Sequence, residues 1–233
     1  MPLRGKGMLA VFAEVKSRHE ADLGEWYDRE HLDERVSVPG FHRARRYVAM
    51  SAADRPKFLA TYECDRVGDL ATPAYLAKLA HPTPWSRRVT ARFTRFHRLA
   101  LRVRVDLAHG IGGYMTAVRF MPDPRAHRAL AAWLEEKALA RAIARPGVVG
   151  ASAGENDTDT ANAPLREGSR DRVRAMDAEW LALLEGTDAK ATAAAARAAF
   201  RLAELRRFGV AAKPTIGTYR LLCGVEAPAR GRR

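Results

Sequence analysis

This chain repeats itself, and the repeat limits what it can fold into. Trp26 lies thirteen residues before Pro39-Gly40, and Trp133 lies thirteen residues before Pro146-Gly147. Each pair sits in a helix-like stretch that ends at the Pro-Gly and runs into a strand-like one. Further along, Phe58-Leu59-Ala60-Thr61-Tyr62-Glu63 reads as the counterpart of Trp180-Leu181-Ala182-Leu183-Leu184-Glu185. A long internal repeat defines the structural unit before any fold is assigned. At 233 residues the chain has room for two such units of about 100 residues each.

Within the first copy, hydrophobic periodicity predicts a strand over about Met8–Lys16 and a helix over about Ala21–Val36. Pro39-Gly40 ends that helix, because proline cannot extend it and glycine tolerates the turn. Strands follow at about Phe41–Met50 and Lys57–Cys64. A helix over Asp65–Leu79 is interrupted at Thr72-Pro73, and a last strand spans about Arg92–Val105. The order β-α-β-β-α-β is the ferredoxin-like split unit.

The second copy repeats it: strand Tyr114–Phe120, helix Ala126–Arg145, strands Val148–Glu155 and Ala178–Leu184, helix Ala189–Phe208 and strand Ile216–Val225. The expected domains are therefore residues 1–108, a Gly-rich linker at 109–113, residues 114–227, and a short basic tail at 228–233. From Gly40 to Phe58 is 18 residues and from Gly147 to Trp180 is 33, so the second copy carries 15 extra residues. Its polar stretch 156–174 is expected to be a surface excursion, with a lid over a pocket as the alternative. Each unit leaves one sheet face in need of cover, and packing the two sheets together supplies it. The expected class is α+β: two tandem ferredoxin-like units forming a dimeric α/β-barrel within one chain. The alternative is that each unit pairs with another molecule, for instance in a homodimer.

The net charge of +13 raises the question of nucleic acid. Residues 1–108 carry 20 Lys+Arg against 13 Asp+Glu, and residues 109–233 carry 20 against 14, so the excess is spread over both halves. The strand Lys57–Glu63 lacks the glycine and second aromatic of an RNA-recognition strand, which argues against RNA. There is no run of about 18 apolar residues to span a membrane. The start reads as a poor signal peptide, since Glu14 interrupts its apolar run. Cys64 and Cys223 belong to no Cys-x-x-Cys pair and are expected to be free thiols in a cytoplasmic protein.

The chemistry-bearing residues concentrate on the first helix, Trp26-Tyr27-Asp28-Arg29-Glu30-His31-Leu32-Asp33-Glu34-Arg35. Tyr27 and His31 are four apart and share a face, with Asp28 and Arg35 one turn from His31. A histidine flanked by a carboxylate and a phenol can be oriented, tuned, and made to move a proton near neutral pH. A salt-bridged surface helix is the competing reading. At an offset of 107, Trp26 is retained as Trp133, while Tyr27, Asp28 and His31 become Leu134, Glu135 and Ala138. Positions that accept Leu or Ala in one copy are at least semi-buried, so a site on this helix would exist once per chain.

The run from Trp26 to Leu32, then Pro39-Gly40-Phe41, Ala44-Arg45-Arg46-Tyr47 and Thr83-Pro84-Trp85, resembles the EthD-like branch of the dimeric α/β-barrel superfamily over about residues 8–100. The second half resembles it in layout only. The superfamily includes cofactor-free monooxygenases, polyketide cyclases, lactone isomerases and haem enzymes. The resemblance implies that His31 points into the cleft between helices and sheet. The expected catalytic residues are His31, Tyr27 and Asp28. Trp26, Arg35, Arg45, Tyr47, Trp85 and His97 are expected to contact a small hydrophobic or aromatic ligand. Arg45 and Tyr47 share a strand face and would suit a carboxylate or phenolate, although Arg43 on that face also fits ordinary surface.

The leading reading is a cofactor-independent enzyme with His31 as general acid/base on an aromatic, polyketide-like or lactone substrate. The alternatives are a non-catalytic hydrophobic-ligand-binding or stress-associated protein and, by fold analogy, a haem protein with His31, His81 or His97 as axial ligand. No cofactor is expected, since the sequence holds no glycine-rich nucleotide motif and no nucleophile elbow, and its histidines lack the close spacings of a zinc site.

Overall fold

Near-continuous apolar runs such as Met8–Ala13 and Trp180–Leu184 make strands buried on both faces, and such strands need cover on each side. The computed structural model, which describes residues 3–166 and 179–228, meets that need with one closed eight-stranded antiparallel barrel in the order β1-β3-β2-β8-β5-β7-β6-β4. The strands are β1 Gly7–Val15, β2 Phe41–Ala49, β3 Phe58–Cys64, β4 Phe93–Asp106, β5 Tyr114–Phe120, β6 Val148–Asn156, β7 Trp180–Gly186 and β8 Thr215–Glu226. The first four strands lie side by side as 4-1-3-2, and the last four reproduce that order. Two seams, β2–β8 and β4–β6, join them, so the barrel closes within a single chain.

Helices cover the outside. In the first half they are α1 Glu20–Trp26 and α2 Leu32–Val36, continuous through a π turn at Tyr27–His31, then α3 Pro73–Ala80 and α4 Pro84–Thr90. In the second half α5 His127–Trp133 and α6 Leu139–Ile143 are likewise joined by a π turn, Leu134–Ala138. They are followed by α7 Thr158–Arg166, α8 Ala189–Ala199 and α9 Leu202–Leu205. The expected break at Thr72 is present: Thr72 is extended, and its hydroxyl accepts from the Tyr75 amide. Helix α4 was not legible from sequence. Thr83 caps it and Pro84 opens it, which is the usual use of proline at a first helical position.

The core has three compartments. Leu23, Trp26, Leu32, Tyr62 and Tyr75 pack between the first helices and their sheet. Leu130, Trp133, Leu139, Trp180 and Leu184 do the same in the second half. Met8, Phe12, Tyr47, Leu59, Leu99, Met115, Leu183 and Tyr219 fill the barrel interior. Among the described residues no helix is long and apolar enough to cross a membrane. Cys64 is buried and Cys223 half-buried, and both are free thiols.

The expected surface excursion is corrected in part. Asn156 ends β6, residues 158–166 form α7, and the remainder of 156–174 lies partly outside the described residues. Helix α7 is packed, because Ala161 is buried in the first half's core and its carbonyl accepts from Arg98 at 2.8 Å.

Two glycines hold equivalent approaches to the barrel. A Cβ on Gly5 would sit 2.1 Å from the Cys64 carbonyl oxygen, and one on Gly112 would sit 2.3 Å from that of Gly186. Both obstacles are backbone, which cannot rotate away. Gly112→Ala is expected to lower the unfolding free energy by about 2–3 kcal/mol, measured by urea denaturation.

Candidate functional site

The first helix delivers its polar residues through the π turn. The turn recurs at Leu134–Ala138, so it belongs to the shared backbone and does not depend on histidine or tyrosine. Both helices end on a left-handed glycine after proline, Gly40 at φ 90° and Gly147 at φ 85°, where a side chain would be strained.

His31 lies between the helix and the outer face of the first sheet, with 13% of its side chain exposed. Its ring stacks on the Trp26 indole at 4.0 Å and 24° and meets Tyr27 and Tyr62 edge-on at 5.5 and 6.0 Å. Trp26 is itself pinned, because its Nε1–H donates to Ser86 at 3.0 Å and to Glu30 at 3.2 Å. Glu30 also accepts from Thr83 at 2.6 Å and from Ser86 at 3.0 Å, which ties α4 to the helix carrying the site. The imidazole is therefore held in a rigid aromatic box.

Its polar neighbours are Glu34 and Arg35. Nδ1 of His31 is 3.6 Å from Glu34 Oε2, which is 3.6 Å from Arg35 Nη2. These separations lie just beyond hydrogen-bond reach. His31 Nδ1, Glu34 Oε2 and Arg35 Nη1 are buried with no hydrogen-bond partner. Such atoms are costly unless a group satisfies them, so their clustering marks a place that suits a polar ligand atom. The Arg35 guanidinium lies over the Tyr75 ring at 5.5 Å.

Burial is the main electrostatic force here. It lowers the His31 pKa to about 4, helped by the Arg35 charge and opposed by Glu34. Burial also raises the Tyr27 phenol to about 12 and pushes Tyr62 well above its ordinary value. For Glu34, burial pulls upward, but His31, Arg35 and Lys78 outweigh it and the carboxyl ends below its ordinary value. At neutral pH this cluster thus holds a neutral imidazole, two phenol donors, a carboxylate and a guanidinium.

The structure brings together four of the expected residues, His31, Tyr27, Trp26 and Arg35, and separates the rest. Asp28 does not touch His31. Its carboxylate turns outward and accepts two hydrogen bonds from Arg46, at 2.7 and 2.6 Å. Glu34 takes the place expected of Asp28, with Tyr62 and Tyr75 completing the wall. The sequence signal for Tyr62 was its replacement by Leu184 at the equivalent strand position. Trp85 sits on the outer flank, half-buried, its indole donating to Asp22 at 2.9 Å.

Arg45, Tyr47 and His97 lie on the other side of the sheet, inside the barrel. Arg45 is bound by the protein's own carboxylates, Glu185 at 2.8 and 2.9 Å and Glu63 at 3.1 Å, while Arg43 holds Glu63 at 2.9 and 2.7 Å. The surface reading of Arg43 is therefore corrected: it is 3% exposed. Strand alternation placed Arg43, Arg45 and Tyr47 on one face, but only barrel closure shows that this face is interior. His97 is at the opposite end of the interior, near Phe12, with Nε2 2.6 Å from Glu179. It is not part of the cluster around His31.

The second half serves as an internal control. The positions of Tyr27, His31, Arg35 and Tyr62 carry Leu134, Ala138, Ala142 and Leu184, so the whole polar constellation is absent there. Among the described residues no cluster of His, Cys, Asp and Glu could hold a metal ion.

No family model and no curated protein matches the chain. Solved structures do. An anthrone oxidase-like protein is 14% identical with a TM-score of 0.69, and 98% of this chain and 96% of that one are covered. A proposed monooxygenase from Fusobacterium nucleatum is 10% identical with a TM-score of 0.57, covering 96% of each chain. A mutant chlorite dismutase from Candidatus Nitrospira defluvii, solved with cyanide, is 11% identical with a TM-score of 0.54, covering 93% and 91%. At such identities the likeness concerns the fold alone: this chain shares the closed α/β-barrel architecture of these structures.

Proposed function

We propose that the chain is a fused tandem of two ferredoxin-like units with one active cleft, in which His31 abstracts a proton from an aromatic, enolisable substrate without an organic cofactor. The observation that carries this reading is the boxed, neutral His31 beside the unpartnered Glu34 and Arg35 atoms, present in the first half only. Because Nδ1 faces Glu34, Nε2 is the nitrogen left for substrate. As it takes the proton, the Glu34 carboxylate stabilises the imidazolium, and Arg35 with the Tyr27 hydroxyl stabilises the enolate or phenolate that forms. An anthrone suits this chemistry: loss of its benzylic proton gives an aromatic phenolate, and dioxygen then converts anthrone to anthraquinone and water. The anthrone oxidase-like neighbour points the same way.

A haem reading has less support. His97 is committed to Glu179 at 2.6 Å, and His81 is exposed. The second reading is non-catalytic ligand binding in the same cleft. It is favoured by the low basicity of His31.

The test follows anthrone consumption and anthraquinone appearance by absorbance under air. Wild type is expected to turn over, and His31→Ala to lose at least about 100-fold in rate while keeping its circular dichroism spectrum. Saturable binding with no conversion would support the second reading; full activity in the variant would end the catalytic role of His31.

A further inference from the structure

The position of the missing constellation in the second half is a groove. About 200 Å³ in volume, it runs between α5–α6 and the α8–α9 end, floored by Trp133, Ala138 and Ala142 and edged by Arg141, Arg145 and Arg201. Ala138 and Ala142 stand where the first half has His31 and Arg35, so two long side chains are truncated to methyl groups along one wall. The same comparison replaces Glu34 by Arg141 and Val38 by Arg145, turning an acidic and a neutral position into two cations. All three arginines are exposed, and among the described residues none has an ion-pair partner. The carboxylate lining the groove, Glu204, is paired with Arg207 at 3.5 Å.

We propose that this groove is a second, non-catalytic binding site for a small organic carboxylate, its single ring or short chain lying on the alanine and tryptophan floor and its anion between the guanidinium groups. The floor supplies apolar contact, and unpaired guanidiniums match a planar carboxylate in geometry as well as charge. The groove's volume of about 200 Å³ accommodates a single ring. This site does not depend on the His31 reading. Its ligand would act on the protein as an effector or be carried by it.

The probe is benzoate, with neutral benzyl alcohol as control. Binding is followed by the indole N–H signal of Trp133 in proton–nitrogen correlation spectra of the intact protein, assigned with Trp133→Phe. Benzoate is expected to shift that signal saturably and benzyl alcohol to leave it in place. The double variant Arg141→Gln/Arg145→Gln, which alters exposed side chains only, is expected to weaken benzoate at least about five-fold, as loss of two exposed charge contacts implies. Ala142→Leu, which refills the floor, is expected to abolish the shift, and His31→Ala to leave it unchanged. The proposal is overturned if benzoate gives no saturable shift, if benzyl alcohol binds equally, if the arginine variant binds as wild type does, or if His31→Ala removes the effect.

Discussion

Arg45→Ala is expected to lower the unfolding free energy by about 3–5 kcal/mol, the range for removing one partner of a buried ion pair. Arg45 is 2% exposed and, from β2, reaches Glu63 on the neighbouring β3 and Glu185 on β7. Strands β2 and β7 are not neighbours, so the Arg45–Glu185 pair spans the barrel interior between the two halves. Without the guanidinium, Glu63 keeps Arg43, but among the described residues Glu185 keeps only the Gly112 amide at 3.3 Å. A buried carboxylate so poorly compensated must either take up a proton or draw in water, and both cost stability. The double variant Arg45→Met/Glu185→Gln should recover a large part of the loss, because it removes the charge along with its partner. Urea denaturation followed by circular dichroism measures both. A loss below about 1 kcal/mol for Arg45→Ala would show that the interior is solvated and that the pair does not hold the halves together.

Acidification is expected to destabilise the protein between pH 6.5 and about 4 through His31, whose pKa falls from 6.5 to about 4 on folding. In this window the unfolded chain binds a proton that the folded cleft refuses, so stability is full above 6.5 and declines as the pH falls. At the lower end the loss attributable to His31 reaches about 3 kcal/mol. Glu34, held below its ordinary carboxyl value, loses its own contribution at still lower pH. The clean observable is the difference between wild type and His31→Ala. Deleting the ring gives a constant offset from lost packing, whereas the pH slope between 6.5 and 4 should flatten. Equal slopes in the two proteins would show that His31 is already solvated in the native state.

The two tests probe different sides of one sheet, and this is where sequence reasoning stopped. Tyr27 and His31 at four-residue spacing were legible as one face, and their replacement by Leu134 and Ala138 in the second copy marked that face as semi-buried. The choice between Asp28 and Glu34 as the partner of His31 was not legible. Both lie three positions from it, and only the helix path through the π turn sends Asp28 outward to Arg46. Likewise, alternation grouped Arg43, Arg45 and Tyr47 but could not say whether their face met solvent, a ligand or a closed interior. Helix α4 was missed because its Thr-Pro start resembles the turn before it, and its anchoring to Glu30 is a contact across 53 residues.

Local chemistry along the chain thus determined the order of strands and helices, the helix ends at Pro39-Gly40 and Pro146-Gly147, and the confinement of histidine and tyrosine to the first helix. Those features depend on residues close in sequence, where spacing and backbone preference act directly. Tertiary structure decided which side of each strand became the barrel interior, which carboxylate faces His31, and that Arg45 meets Glu185 across 140 residues. Closing the two seams converts one sheet face into a core and brings Arg45 to Glu185, whereas packing of the first helix on the opposite face buries His31 and sets its charge state.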